Sequence, residues 1–411
     1  MATLLFTNIQ GLVGTFPEAV RCVSGPDMKN LPVLENAYLL VEDGRIGSFG
    51  PMQACPRVDA ERVDARGRYL LPAWCDSHTH LVFAGSREAE FVDRIRGLSY
   101  TAIARRGGGI LNSARRLQET PEERLLEAAW ERLAELQRMG TGAVEIKSGY
   151  GLSLEGELKM LRVIRTLKAQ SRIPIKATFL GAHALPAEYK DRRKAYLDLI
   201  IREMLPRIAD EGLADYVDVF CEKGFFTLDE MKRVLDAAAG YNLQPKVHVN
   251  QFNSLGGVAA AVERGARSVD HLEVISDADA AALRQSDTVA TLLPSAPFFL
   301  RDHYPPAHKL MNEPVTVALA TDFNPGSSPS GNMSFVLSLA CLYLGMLPEE
   351  AIAAATLNGA YAMDLADELG SIAQGKRANL SLTRPIPSLA YLPYAFGSQL
   401  IERCWISGRE V

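Results

Sequence analysis

Cysteine, basic runs and long apolar stretches are all scarce in this chain of 411 residues. The six cysteines, Cys22, Cys55, Cys75, Cys221, Cys341 and Cys404, are dispersed and include no Cys-X-X-Cys pair. That excludes a disulfide framework and predicts reduced, mostly buried thiols. With 44 Lys and Arg against 49 Asp and Glu the net charge is −5, and no long basic run occurs, so neither nucleic acid nor an anionic membrane is an expected partner. No apolar stretch is long enough to span a bilayer, and residues 1–8 lack both a basic n-region and a continuing apolar h-region; the expected location is the cytoplasm. The glycine-rich segment Arg106-Gly107-Gly108-Gly109-Ile110 has no strand before it and no Gly-Lys-Ser/Thr after it, and reads as a flexible loop, not a phosphate cradle.

The length suits one large α/β domain with a smaller companion. Residues 1–65 read as short strands and turns, with Asp43-Gly44 between alternating apolar residues as a hairpin signal. Residues 371–411 have the same character, so the two termini are expected to build one small β-sandwich domain. Between them, residues 66–370 alternate strand-like and helical runs, the pattern of parallel βα units. Eight strand candidates, at 69–75, 142–147, 173–181, 216–221, 245–249, 268–271, 288–293 and 315–322, predict a closed (β/α)8 TIM-type barrel, an α/β fold. Thr120-Pro121-Glu122-Glu123 and Thr227-Leu228-Asp229-Glu230 carry N-terminal helix signals.

Histidine is scarce as well, at seven residues, and two of them stand one residue apart in Asp76-Ser77-His78-Thr79-His80. In a strand such a pair faces one way. Barrel sites are built at the C-terminal ends of strands, where this sequence offers His78 and His80, Lys147 with Tyr150, His183, Glu222, His248, His271 and Asp322. His78, His80, His248 and Asp322 make three imidazoles and a carboxylate, a ligand set suited to zinc or iron with one position left for water. A divalent metal lowers the pKa of such a water toward neutrality, and hydrolysis is the chemistry that follows. His271 reads either as a group that polarises a carbonyl or shuttles a proton, or as a hydrogen-bonded core histidine. Arg87 either grips a substrate carboxylate or pairs with Glu88 or Glu90 at the surface. His303 and His308 read as surface residues.

With these groups placed, the chain resembles the amidohydrolase superfamily, a metal-bearing barrel beside a small β domain made from both termini. The motifs Asp76-Ser-His-Thr-His-Leu-Val-Phe-Ala-Gly-Ser-Arg-Glu88, Val144-Glu-Ile-Lys-Ser-Gly-Tyr-Gly-Leu152, Phe179-Leu-Gly-Ala-His183 and Leu319-Ala-Thr-Asp-Phe-Asn-Pro-Gly-Ser327 resemble its imidazolonepropionase family over essentially the whole chain. That resemblance implies hydrolysis of the ring C–N bond of 4-imidazolone-5-propanoate to N-formimidoyl-L-glutamate, in histidine degradation. It implies one zinc or iron ion per subunit on His78, His80, His248 and Asp322, a small substrate carrying a carboxylate, and a homodimer. Arg87, Tyr150 and His183 match substrate-holding positions, and Asn324, Gly326 and Ser327 match the loop that contacts the propionate or the product.

Proton transfer falls to Asp322, His271 or water. Gln251 stands three residues after His248, where related deaminases and some members of the family carry glutamate; its amide can bond a substrate nitrogen but carries no proton near neutral pH. Another cyclic amide hydrolase or a deaminase on the same scaffold is the alternative reading, and a barrel without chemistry the non-enzymatic one. Lys147 as a carboxylated bridge, or Glu222 as a ligand, would add a second metal; a single metal is expected.

Overall fold

The computed structural model describes residues 3–98 and 108–411, so Arg106 and Gly107 of the glycine-rich segment lie outside the described residues. Near the N-terminus run β1 (Leu4–Val13), β2 (Val33–Glu42), β3 (Arg45–Pro51), β4 (Glu61–Asp64) and β5 (Tyr69–Pro72). There follow β6 (Trp74–Thr79), β7 (Thr141–Lys147), β8 (Ile175–Ala182), β9 (Tyr216–Cys221), β10 (Gln244–Val249), β11 (Ser268–His271), β12 (Val289–Leu292) and β13 (Val317–Leu319). The C-terminal segment adds β14 (Leu380–Thr383), β15 (Ile401–Ile406) and β16 (Arg409–Glu410).

The outer strands form one mixed sheet in the order β16-β15-β14-β5-β1-β2-β3, with β4 also on β1. Asp43 and Gly44, both at positive φ (51° and 78°), turn β2 into β3 as the sequence predicts. Phe6 on β1 and Trp405 on β15 meet edge to face at 4.8 Å. In a flat sheet strands three places apart are separated by about 14 Å, so this sheet curls over on itself into two layers around Ile9, Leu12, Leu39 and Leu380.

Strands β6 to β13 form the second sheet, parallel and in sequence order. Every residue of β6, β7 and β9 is buried, as befits parallel strands covered on both faces. The ring closes between the first and last units beyond the end of β13. Asp322 N–H donates to His78 O at 3.0 Å and His80 N–H to Phe323 O at 2.9 Å. The buried Asp76 carboxylate accepts from Thr321 N at 3.0 Å and Thr321 Oγ1 at 2.6 Å.

Three expectations need correction. The apolar run 69–75 is two strands, because β5 pairs with β1 and β14 in the outer sheet before the chain crosses at Ala73 into the barrel. The last candidate, 315–322, shrinks to β13, since Asp322 takes a left-handed φ of 53° and leaves the strand. Thr120 does not cap the helix Glu122–Arg138; its hydroxyl donates to Arg116 O at 2.6 Å and closes the preceding helix Ile110–Glu119. Thr227, by contrast, makes the expected capping box with Glu230. All six cysteines are free, and among the described residues no helix is long and apolar enough to cross a membrane.

Candidate metal centre and substrate cavity

The two-residue period of β6 brings His78 and His80 to the barrel mouth with ring centroids 5.4 Å apart. His248 reaches the same place from β10, with its ring centroid 4.5 Å from that of His78. Asp322 turns in through its left-handed backbone, its Oδ1 lying 3.5 Å from His78 Nε2 and 3.6 Å from His80 Nε2. Two triads share His78: His78, His80 and Asp322 in one, His78, His248 and His271 in the other, and the potential ligand atoms of each lie within 4.8 Å of one another. His271, expected outside the ligand set, is therefore as close to the cluster as the ligands are, and both it and Leu272 are held at positive φ (87° and 65°).

These residues fit a divalent metal ion. His78 Nδ1 is 2.7 Å from Asp270 Oδ2, and His248 Nδ1 is 2.8 Å from Asp218 Oδ2. Each carboxylate holds the N–H of its ring and leaves Nε2 as a bare lone pair. His78 Nε2 is buried and has no hydrogen-bond partner, a costly state for a polar atom unless an ion answers it. Burial, and then the charges of Lys147 and the other rings, holds His78 well below the usual histidine range. Burial likewise holds His80 and His248 there, and a neutral imidazole is the form that ligates. Burial pushes the Asp322 carboxyl up to about 6. His271 goes the other way: burial lowers it, but Glu273 at 3.4 Å, Asp322 and Asp270 together raise it above the ordinary value.

Above the cluster opens a cavity of about 480 Å³. Arg87, Tyr150, His183, Gln251, Asn324, Gly326 and Ser327 all line it, alongside His80, His248, His271 and Asp322. Arg87 donates from Nε to Ser113 Oγ at 2.8 Å and lies with its guanidinium 5.8 Å from the Tyr150 ring centre. His183 Nδ1 donates to Gly149 O at 2.9 Å, leaving Nε2 as an acceptor, and burial lowers its pKa to about 4. The amide of Asn324 is spent within its own loop, its oxygen accepting from Gly326 N (2.7 Å) and Ser327 N (2.8 Å) and its nitrogen donating to Asp322 O (2.6 Å).

A sequence model of the amidohydrolase family matches residues 69–411. Proteins named imidazolonepropionase are 55% identical in Christiangramia forsetii, over 99% of this chain and 99% of that protein, and 54% identical in Flavobacterium johnsoniae, over 98% and 99%. The chain belongs to the amidohydrolase family and, within it, to the imidazolonepropionases. The fold of this family is shared with solved structures of low identity. An adenosine deaminase from Xanthomonas campestris with bound zinc has a TM-score of 0.71 at 18% identity, covering 100% of this chain and 92% of that one. An E. coli guanine deaminase has 0.72 at 14%, covering 100% and 99%.

Neither second-metal candidate faces the amidohydrolase centre with a free ligand atom. Lys147 Nζ donates to Glu145 Oε1 at 2.7 Å and Asp218 Oδ2 at 2.9 Å, and Asp270 Oδ2 lies at 3.4 Å. A carboxylated lysine would set a fourth anion among these three. Glu222 accepts from Phe252 N at 2.9 Å, Asn253 N at 3.2 Å and Asn253 Nδ2 at 2.8 Å, and so ties down the loop that follows Gln251. His303 is exposed beside Asp302, as expected.

Sequence reasoning missed Arg94, which lines the cavity, donates to Gly326 O at 3.3 Å and stacks on Phe299 at 4.8 Å. It also missed Asp218 and Asp270. The signal for those two was present: each is a carboxylate one to three residues before the end of a strand that is buried throughout.

Proposed function

We propose that this protein opens the ring of 4-imidazolone-5-propanoate with water, giving N-formimidoyl-L-glutamate. One observation carries the reading: a guanidinium, Arg87, and a histidine and aspartate cluster fit for a metal line the same cavity. A substrate with a carboxylate at one end and a cyclic amide at the other suits that pairing, and full-length identity of about half to the named relatives supports it. A zinc or iron ion bound by His78, His80, His248 and Asp322 would polarise the amide carbonyl and make water acidic enough to attack at neutral pH.

The chain's own groups divide the remaining work. Arg87 pairs with the propionate, while Tyr150, His183 and Gln251 orient the ring. Asp322 takes a proton from the attacking water, and a carboxyl raised to about 6 suits a base working near neutrality. His271 donates to the oxygen on which negative charge develops, and the ring nitrogen leaves with a proton as the C–N bond breaks. Gln251 has no carboxylate to relay protons, which weighs against a deaminase. As part of the same proposal the chain works as a homodimer in the cytoplasm, and light scattering on the pure protein reads its assembly.

The deciding experiment incubates pure protein with freshly generated imidazolone propionate and measures formimidoyl-glutamate, with elemental analysis on the same sample. Formation of that product by protein carrying one zinc or iron per chain is the expected result. Ammonia released from guanine, with the imidazolone untouched, would overturn the reading.

A further inference from the structure

Beneath the histidine cluster lies a set of five charged side chains that do not line the cavity. Glu145 and Lys147 on β7, Asp218 on β9, Lys246 on β10 and Asp270 on β11 are all buried, none more than 1% exposed. The oxygens they share are the informative feature. Asp218 Oδ2 lies 2.9 Å from Lys147 Nζ and 2.8 Å from His248 Nδ1. Asp270 Oδ2 lies 3.4 Å from Lys147 Nζ and 2.7 Å from His78 Nδ1. One ammonium therefore touches the two carboxylate oxygens that hold the two imidazoles. Glu145 Oε1, at 2.7 Å, is its third acceptor, which matches the three N–H groups of a lysine. Lys246 differs: it pairs with Glu145 and gives its other bonds to Ser77 O and Ala362 O, both at 3.1 Å.

A metal-ligating histidine needs its second nitrogen to donate to an acceptor that cannot donate back, because that bond fixes both tautomer and ring direction. Two such carboxylates, packed under one cluster in a dry interior, repel each other unless a cation sits between them. We propose that Lys147 is the positioning residue of the metal centre: by holding Asp218 and Asp270 together it locks His248 and His78 in the Nδ1–H tautomer, each with its Nε2 lone pair toward the ion. The proposal rests on reading those two histidines as ligands. It gives Lys147 a role distinct from a metal bridge, and makes the two ligands' orientation depend on one side chain.

The test uses the full-length protein. In metal-free wild-type protein labelled with nitrogen-15 histidine and lysine, both rings show the Nδ1–H tautomer and Lys147 shows a charged, exchange-protected ammonium. An Nε2–H tautomer on either ring, or a neutral Lys147 amine, overturns the proposal with no variant needed. Zinc is then titrated into metal-free Lys147→Met and Lys246→Met, with circular dichroism as the check on folding. Lys147→Met binds zinc about 10–100-fold more weakly than wild type, whereas Lys246→Met stays within about threefold because its ammonium touches neither aspartate. Wild-type zinc affinity in folded Lys147→Met overturns the proposal and leaves the functional reading intact. Failure of the wild type itself to bind zinc or iron overturns the functional reading instead.

Discussion

The guanidinium of Arg87 packs so closely over Gly326 that a methyl group on the glycine would collide with Arg87 Nη1. The loop after the first barrel strand and the loop after Asp322 thus meet through one arginine and one residue without a side chain. Gly326 has no positive φ to protect, so an alanine there costs only the collision. Gly326→Ala is expected to displace Arg87 and raise KM about tenfold, equivalent to about 1.4 kcal/mol, with kcat changed less. Steady-state kinetics on the imidazolone substrate measure it, and an unchanged KM would mean that Arg87 does not hold the carboxylate.

Arg87→Met removes the charge while keeping most of the stem. Losing one partner of a carboxylate pair typically costs 2–5 kcal/mol, so kcat/KM should fall by about 30-fold or more. Metal content should not change. An analogue whose propionate is a neutral amide should lose little, and an equal loss on both substrates would remove Arg87 from carboxylate recognition.

His248→Ala deletes a proposed ligand and leaves Asp218 bonded to Lys147 and to the main-chain N–H of residue 248. Retained metal and activity are both expected to disappear, as read by elemental analysis and product formation on one preparation. Full turnover by a metal-free variant would sink the mechanism.

Acid should destabilise the metal-stripped protein in a defined window. Burial holds the pKa values of His78, His80 and His248 well below the ordinary value and that of His183 at about 4, so each ring binds a proton less readily folded than unfolded. Their contribution to stability is whole above about pH 6.5, the unfolded value, and is lost as the pH falls toward 4. For His183 alone the loss is at most about 3 kcal/mol. The pKa values of Asp76, Asp322 and His271 are raised, so these groups bind protons more readily folded, which offsets part of this loss. Melting temperatures recorded from pH 7 to 4.5 should still drop, and His183→Gln should flatten the drop.

Glu222→Ala separates a loop anchor from a metal ligand. It should cost about 1–3 kcal/mol of stability through the buried N–H groups it strands, and raise KM by loosening the loop after Gln251. The metal count should stay at one per chain in wild type and variant alike. A wild type with two ions that falls to one on this substitution would restore Glu222 as a ligand.

Much of this centre was legible in the sequence because buried parallel strands are written as apolar runs and their chemistry begins where the run stops. His183 after Leu180-Gly181-Ala182 and Glu222 after Phe220-Cys221 both follow that rule. The switch at Ala73 was invisible because both halves of the run 69–75 face a core, one in each sheet, and period alone cannot say which. Lys147 was visible but misleading: a charge at the end of a strand looks like a reactive group until its acceptors are seen, Glu145 on its own strand and Asp218 and Asp270 on two others. Arg94 was hidden for the opposite reason. It sits on the helix Glu88–Ile95, none of whose residues is buried, and there a charged side chain reads as solvated.

The closure between His78, His80 and the Asp322–Phe323 step gives the barrel an unusual lap joint. The residues proposed to grip the ion also supply the main-chain bonds that join the first stave to the last. Any ion seated there acts as a rivet through that joint, so its departure should be felt first as fraying along one line of the wall. The final stave, three residues long from Val317 to Leu319, is the piece positioned to lift.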